Sequence, residues 1–73
     1  MTRDQIKEEI KEMDCLERFE IEALADLIYQ ANERKVDYTG TDAYKKAAAV
    51  IDWLYEADRI TLINKLDMRE LLL

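Results

Sequence analysis

The stretch CLERFEIEALADLIYQANER, residues 15–34, decides the fold class. Its apolar side chains recur at helical spacing and form two adjacent rows. The first row is Leu16, Phe19, Ala23, Leu27 and Ala31, and the second is Ile21, Leu24 and Ile28. An apolar arc of this width is typical of a helix that packs against more than one neighbour. We therefore predict that residues 15–34 form the central helix of a helical domain.

A shorter helix is predicted on the N-terminal side, over residues 3–13. Its narrow apolar stripe is Ile6, Ile10 and Met13. Thr2 followed by Gln5 fits a capping box, in which the hydroxyl and the amide bond to free backbone N–H groups. Asp14 is the predicted N-cap of the central helix, because a short acidic side chain often occupies that position.

The sequence after a loop contains two further helical patterns. One covers residues 42–57 and the other covers residues 59–71. Thr41 is the predicted N-cap of the first, and Asp58 is the predicted N-cap of the second. The joint near Asp58 has neither glycine nor proline. One continuous helix over residues 42–71 is therefore the alternative interpretation.

The chain of 73 residues is predicted to be a single domain, 1–73, with an all-α fold. We expect a small bundle of three or four helices. A core of this size supplies only about 3–5 kcal/mol of net stability. Self-association is a common way to add to it. Dimerisation is therefore one way in which the bundle could be completed.

Surplus apolar side chains predict a homodimer interface. The sequence ends in three consecutive leucines, which span most of a helix circumference and cannot all face one small core. Trp53 lies off the main apolar stripe of its helix, and the segment after it adds more large apolar residues. The candidate interface residues are Trp53, Leu62, Leu66 and Leu72.

The side chains that most often carry catalysis and metal binding are scarce. The sequence contains no histidine and one cysteine, Cys15. Zinc sites draw on several histidines and cysteines, and a catalytic cysteine needs a base to form its thiolate. Asp14 and Glu17 beside Cys15 oppose the thiolate as well. We expect no enzyme activity, no metal and no cofactor.

Acidic residues dominate the net charge of −6. Residues 1–30 carry nine acidic and four basic side chains, so the excess is concentrated in the N-terminal half. The candidate acidic face consists of Glu8, Glu12, Glu17 and Glu20. Its simplest interpretation is a solvated helix surface. The functional alternative is a phosphate mimic that occupies the basic groove of another protein.

One stretch, Arg34 to Lys46, is locally basic. Its candidate anion-contact residues are Lys35, Thr41, Lys45 and Lys46, since free N–H groups at a helix start can hold an anion. Asp37 and Asp42 lie within the same stretch, and the chain as a whole is acidic. Nucleic-acid binding is therefore disfavoured, because it needs clustered lysine and arginine.

The sequence predicts a cytoplasmic protein. It shows no apolar leader segment, no run of about 20 apolar residues that would span a membrane, and one unpaired cysteine. No motif in it is specific to a family. The favoured function is a non-catalytic protein-interaction or regulatory module that presents a helical surface to a protein partner. The alternative is a nucleic-acid-linked regulator, either an acidic mimic or a weak binder through the Arg34–Lys46 stretch.

Overall fold

The computed structural model describes residues 1–33 and 42–73. These residues form four α-helices and no strand, so the predicted all-α class is confirmed. The helices are α1 (Arg3–Glu12), α2 (Arg18–Glu33), α3 (Asp42–Glu56) and α4 (Leu62–Leu71). The break between α3 and α4 rules out one continuous helix over residues 42–71.

Capping boxes start both outer helices. At α1 the Gln5 N–H donates to Thr2 Oγ1 at 3.2 Å, and the Thr2 N–H donates to Gln5 Oε1 at 2.8 Å. This confirms the predicted cap. At α4 the same arrangement joins Thr61 and Asn64, with the Asn64 N–H donating to Thr61 Oγ1 at 3.1 Å. Each box satisfies two backbone donors that a helix start leaves unpaired.

The predictions that Asp14 and Asp58 are N-caps were wrong. Both residues follow the end of a helix and adopt the left-handed backbone conformation, with φ of 52° and 64°. Aspartate tolerates this conformation better than most residues. It therefore stops the preceding helix. The next helix begins only after Glu17 in the first joint and after Thr61 in the second.

The two joints are built alike. In each, two residues separate the left-handed aspartate from the N-cap, and a side chain of the first helical turn reaches back to the N-cap backbone. In the first joint the Glu17 N–H donates to Glu20 Oε1 at 2.9 Å. In the second the Thr61 N–H donates to Asn64 Oδ1 at 3.3 Å. The α1–α2 and α3–α4 pairs are thus two helical hairpins with equivalent connections.

Helices that are neighbours in sequence pack on one another, α1 on α2, α2 on α3, and α3 on α4. All four helices contribute to one apolar core. Its largest fully buried side chains are Ile6, Ile10, Leu24, Ile28, Ile51, Met68 and Leu72. The first and the last helix, α1 and α4, therefore both contribute buried side chains to this core.

Part of the predicted central apolar arc is exposed. Phe19 and Ala23 of the first row face solvent, and Phe19 is 69% exposed. Both lie on the side of α2 opposite Ile28, which is fully buried. The apolar arc of α2 is wider than the surface that α1 and α3 cover together. The side chains at the outer edge of the arc are therefore exposed among the described residues.

Candidate functional site

Four large apolar side chains on the α3–α4 hairpin are more than half exposed. Their exposed fractions are 60% for Trp53, 52% for Leu62, 71% for Ile63 and 54% for Leu66. We call these four residues the apolar face. Exposed apolar side chains are ordinary one at a time, but several on one surface mark a contact region.

Two of the four residues, Trp53 and Leu66, adjoin the ion-paired contact between α3 and α4. Asp52 accepts from Arg69 Nη1 at 3.2 Å and lies 3.7 Å from Lys65 Nζ. Trp53 follows Asp52, and Leu66 follows Lys65. In an α-helix one residue is a rotation of about 100°. Trp53 and Leu66 are therefore turned away from the facing side chains of Asp52 and Lys65, and both are exposed.

Three of the four predicted interface residues lie on this face. They are Trp53, Leu62 and Leu66. Leu72 needs a correction, because it is fully buried in the core of its own chain and offers no surface to a partner. The last turn of α4 docks against the core, so the exposed leucine is Leu73 at 80%. Ile63 was missed because its helical spacing also fits a core position.

A groove of about 860 Å³ lies between α1 and α4. Its lining residues are Met1, Glu9, Glu12, Met13, Asn32, Asn64, Asp67, Glu70, Leu71 and Leu73. Each outer helix packs mainly on its neighbour in sequence. The space between the two outer helices therefore stays open, although the core beneath it is closed.

On α1 the positive side chains turn away from this groove and towards α2. Arg3 Nη2 lies 2.6 Å from Glu22 Oε2, and Lys7 Nζ lies 2.5 Å from Glu22 Oε1. Arg3 also pairs with Asp26. Hydrogen bonds from Lys7 and then Arg3 lower the pKa of Glu22 to about 2. The basic edge of α1 is thus neutralised by α2, and its acidic edge with Glu9 and Glu12 borders the groove.

On α4 the charges are sorted in the same way. Lys65 and Arg69 face Asp52 of α3, and Lys65 Nζ also lies 4.6 Å from the centre of the Tyr55 ring. Asp67 and Glu70, on the other edge of α4, line the groove. None of the four groove carboxylates forms an ion pair with a residue in the described ranges 1–33 and 42–73.

The four residues of the predicted acidic face have different surroundings. Glu12 lines the groove, whereas Glu8 is exposed outside it. Glu17 is the N-cap of α2. Glu20 binds the Glu17 N–H and lies 2.6 Å from Arg59 Nη2. These two contacts, the backbone bond first, lower the pKa of Glu20.

Cys15 lies in the first joint and is half-buried. Burial and the nearby charge of Asp14 raise the pKa of its thiol, and Glu20 adds to this. The sequence pointed to Glu17 as the second charge that opposes the thiolate, and in the structure Glu20 has that role. The protonated thiol is a poor nucleophile. In the part of the chain that the structure describes, no group of three or more His, Cys, Asp or Glu side chains can hold a metal ion.

The predicted anion-contact residues are only partly described. Lys35 and Thr41, together with the rest of residues 34–41, lie outside the described residues. Lys45 and Lys46 are exposed on α3, one turn after Asp42 at its start. The anion site stays a prediction.

Comparison with known protein families, curated proteins and solved structures finds no match for the chain. No helix in the described ranges is both long and apolar enough to cross a membrane. The apolar face and the groove are therefore the two surfaces that bear on function.

Proposed function

We propose that this protein is a non-catalytic cytoplasmic interaction module that self-associates as a homodimer through the apolar face. The observation that carries the proposal is the exposure of Trp53, Leu62, Ile63 and Leu66 on the α3–α4 hairpin. Tryptophan is enriched among the residues that dominate binding at protein interfaces.

The energetics of a small domain support self-association. A single core of this size yields only about 3–5 kcal/mol. A partner that binds only the folded state adds stability by mass action. A two-fold axis at the apolar face brings the same patch of each chain together, so every large side chain meets an apolar neighbour.

The composition of the face also supports a contact role. Asp52, Lys65 and Arg69, which adjoin Trp53 and Leu66, are engaged with one another. Burial of the face therefore removes apolar surface from water without forcing these three charges apart. The apolar contribution is about 25 cal/mol per Å² of surface removed from water.

Sedimentation equilibrium at micromolar concentration tests the proposal. We expect a mass of twice the 8.7 kDa of the chain. Leu66→Glu places a charge on the apolar face and should give the mass of one chain. Its control is Phe19→Glu, which changes an apolar residue on α2 that is also more than half exposed and should leave the dimer intact.

Two results would contradict the dimer. One is a wild-type mass of 8.7 kDa that does not change with concentration. The other is an equal effect of Leu66→Glu and Phe19→Glu, which would mean that added charge and not the site causes dissociation. Circular dichroism of both variants checks that each remains helical.

A further inference from the structure

The groove between α1 and α4 has a different chemistry from the apolar face. Its rim carries four carboxylates, which are Glu9 and Glu12 from α1 and Asp67 and Glu70 from α4. No described lining residue has a positively charged side chain. By contrast, the carboxylates of Glu20, Glu22 and Asp52 are each paired with a cation. The rim therefore concentrates negative charge, and none of its four carboxylates is ion-paired with a described residue.

The rim carboxylates are arranged in two rows. Glu9 and Glu12 are about 4.5 Å apart along the axis of α1, and the same rise separates Asp67 from Glu70 on α4. No group of three or more possible ligands in the described ranges can hold a metal ion. Two rows that face each other across an open groove suit an extended ligand with several positive charges along its length.

The groove also has apolar lining. Met13 and Leu71 are partly buried against the core, and Leu73 is exposed beside them. Methionine is flexible and polarisable, and it adapts to the shape of an apolar partner. A ligand that carries only charge would leave these side chains in water, whereas a ligand with an apolar stripe would cover them.

We propose that the groove binds a lysine- or arginine-rich amphipathic helix of a partner protein. The basic flanks of that helix lie along the two carboxylate rows, and its apolar stripe covers Met13 and Leu71. This is the binding mode in which an amphipathic helix lays its apolar face in a groove. The proposal does not depend on the homodimer, because no residue of the apolar face lines the groove.

A short synthetic helix of leucine and lysine, with the leucines on one face, is the probe. Fluorescence anisotropy should show binding that weakens as salt is added, because exposed charge pairs are screened. A peptide of the same composition with the leucines scrambled around the helix should bind several-fold more weakly. Spermine, a polycation without an apolar stripe, should compete poorly.

Variants in which carboxylates are replaced by amides locate the site. The groove variant is Glu12→Gln with Asp67→Asn, and the control is Glu8→Gln with Glu56→Gln. Both remove two exposed negative charges, so their effects on net charge are equal. We expect the groove variant to bind the probe between about threefold and about thirtyfold more weakly. The control should stay within about twofold of the wild-type affinity.

Side-chain amides give an independent readout by NMR. Both asparagines of the chain, Asn32 and Asn64, line the groove, whereas Gln5 and Gln30 do not. Bound peptide should shift the amide signals of the two asparagines and leave those of the two glutamines in place. The same shifts should occur in the Leu66→Glu variant, which separates this proposal from the dimer.

Four results would overturn the proposal. They are no binding of the leucine–lysine helix, equal binding of the scrambled peptide, equal weakening by the groove and control variants, and unchanged asparagine signals. Spermine that competes as well as the peptide would also exclude an amphipathic partner, since it would assign the groove to small polycations.

Discussion

Glu20 and Arg59 join the start of α2 to the joint between α3 and α4, across 39 residues of sequence. Glu20 Oε1 accepts from the Glu17 N–H at 2.9 Å and from Arg59 Nη2 at 2.6 Å. One oxygen therefore caps a helix and links the two helical hairpins. The Glu20 side chain is only 11% exposed and that of Arg59 is 41% exposed, so the carboxylate is the shielded partner of the contact.

Glu20→Ala should cost more stability than Arg59→Ala. The arginine substitution removes a partly exposed ion pair, worth about 0.2–1 kcal/mol. The glutamate substitution removes that pair and a helix cap, a total of about 1–2 kcal/mol. Urea unfolding of both variants measures the difference. Equal costs would show that the backbone bond to Glu17 contributes nothing.

Acid should destabilise the fold partly through Glu22. Its pKa falls from an ordinary value of 4.5 to about 2 because Lys7 and Arg3 donate to its carboxylate. A folded-state pKa below the unfolded value means that the stabilisation is complete above about pH 4.5. It is lost as the pH falls towards about 2.

Thermal unfolding across this pH range tests the role of Glu22. Glu22→Gln should lower stability at neutral pH and flatten the decline in acid. Glu8→Gln is the control, because Glu8 is exposed and has no ion-pair partner among the described residues. A Glu22→Gln profile with the wild-type slope would assign the acid sensitivity to other carboxylates.

The left-handed conformation of Asp58 predicts opposite effects for two substitutions. Asp58→Val should destabilise by about 1–2 kcal/mol, because the branched side chain clashes with the backbone at positive φ. Asp58→Gly removes the clash altogether and should be close to neutral. Chemical unfolding of the pair checks the backbone geometry directly. A neutral valine variant would mean that the joint can adopt another conformation.

Leu72 and Leu73 should respond very differently to truncation. Leu72→Ala opens a cavity in the core and should cost about 2–5 kcal/mol. Leu73→Ala changes an exposed side chain and should stay within about 0.5 kcal/mol. Circular dichroism with urea measures both. Similar small costs would indicate that the last turn of α4 frays in solution.

Trp53 is the single tryptophan of the chain, so its fluorescence reports the apolar face. At low concentration its emission should be that of a largely exposed indole. Dimerisation through this face should shift the emission to shorter wavelength as concentration rises. The Leu66→Glu variant should keep the exposed spectrum at all concentrations, and a matching shift in that variant would point to another contact.

Local patterns in the sequence predicted the helices well where a side chain bonds to the backbone of its own helical turn. Thr2 and Gln5 are an example, since both partners of the capping box lie within four residues. Asp14 and Asp58 were misassigned because aspartate favours two opposite positions, before a helix and just after one. Only the backbone conformation distinguishes these positions, and here it is left-handed at both.

The groove could not be predicted from sequence, because it depends on where α1 and α4 lie relative to each other. Glu12 was chosen as part of an acidic surface, but Asp67 was not, although the two line the same groove. Leu72 illustrates the same difficulty on α4. Three successive leucines show that one must face outwards, yet only the rotation of the docked helix decides that it is Leu73.

The equivalent joints at Asp14–Glu17 and Asp58–Thr61 have a consequence for folding speed. Each closes a pair of helices through a few intervening residues, and the main helix contacts all lie between neighbours in sequence. Little chain entropy is lost before such contacts form. Helical proteins with mainly local contacts fold in microseconds to milliseconds. We expect this chain to fold on that timescale, with either hairpin able to form first.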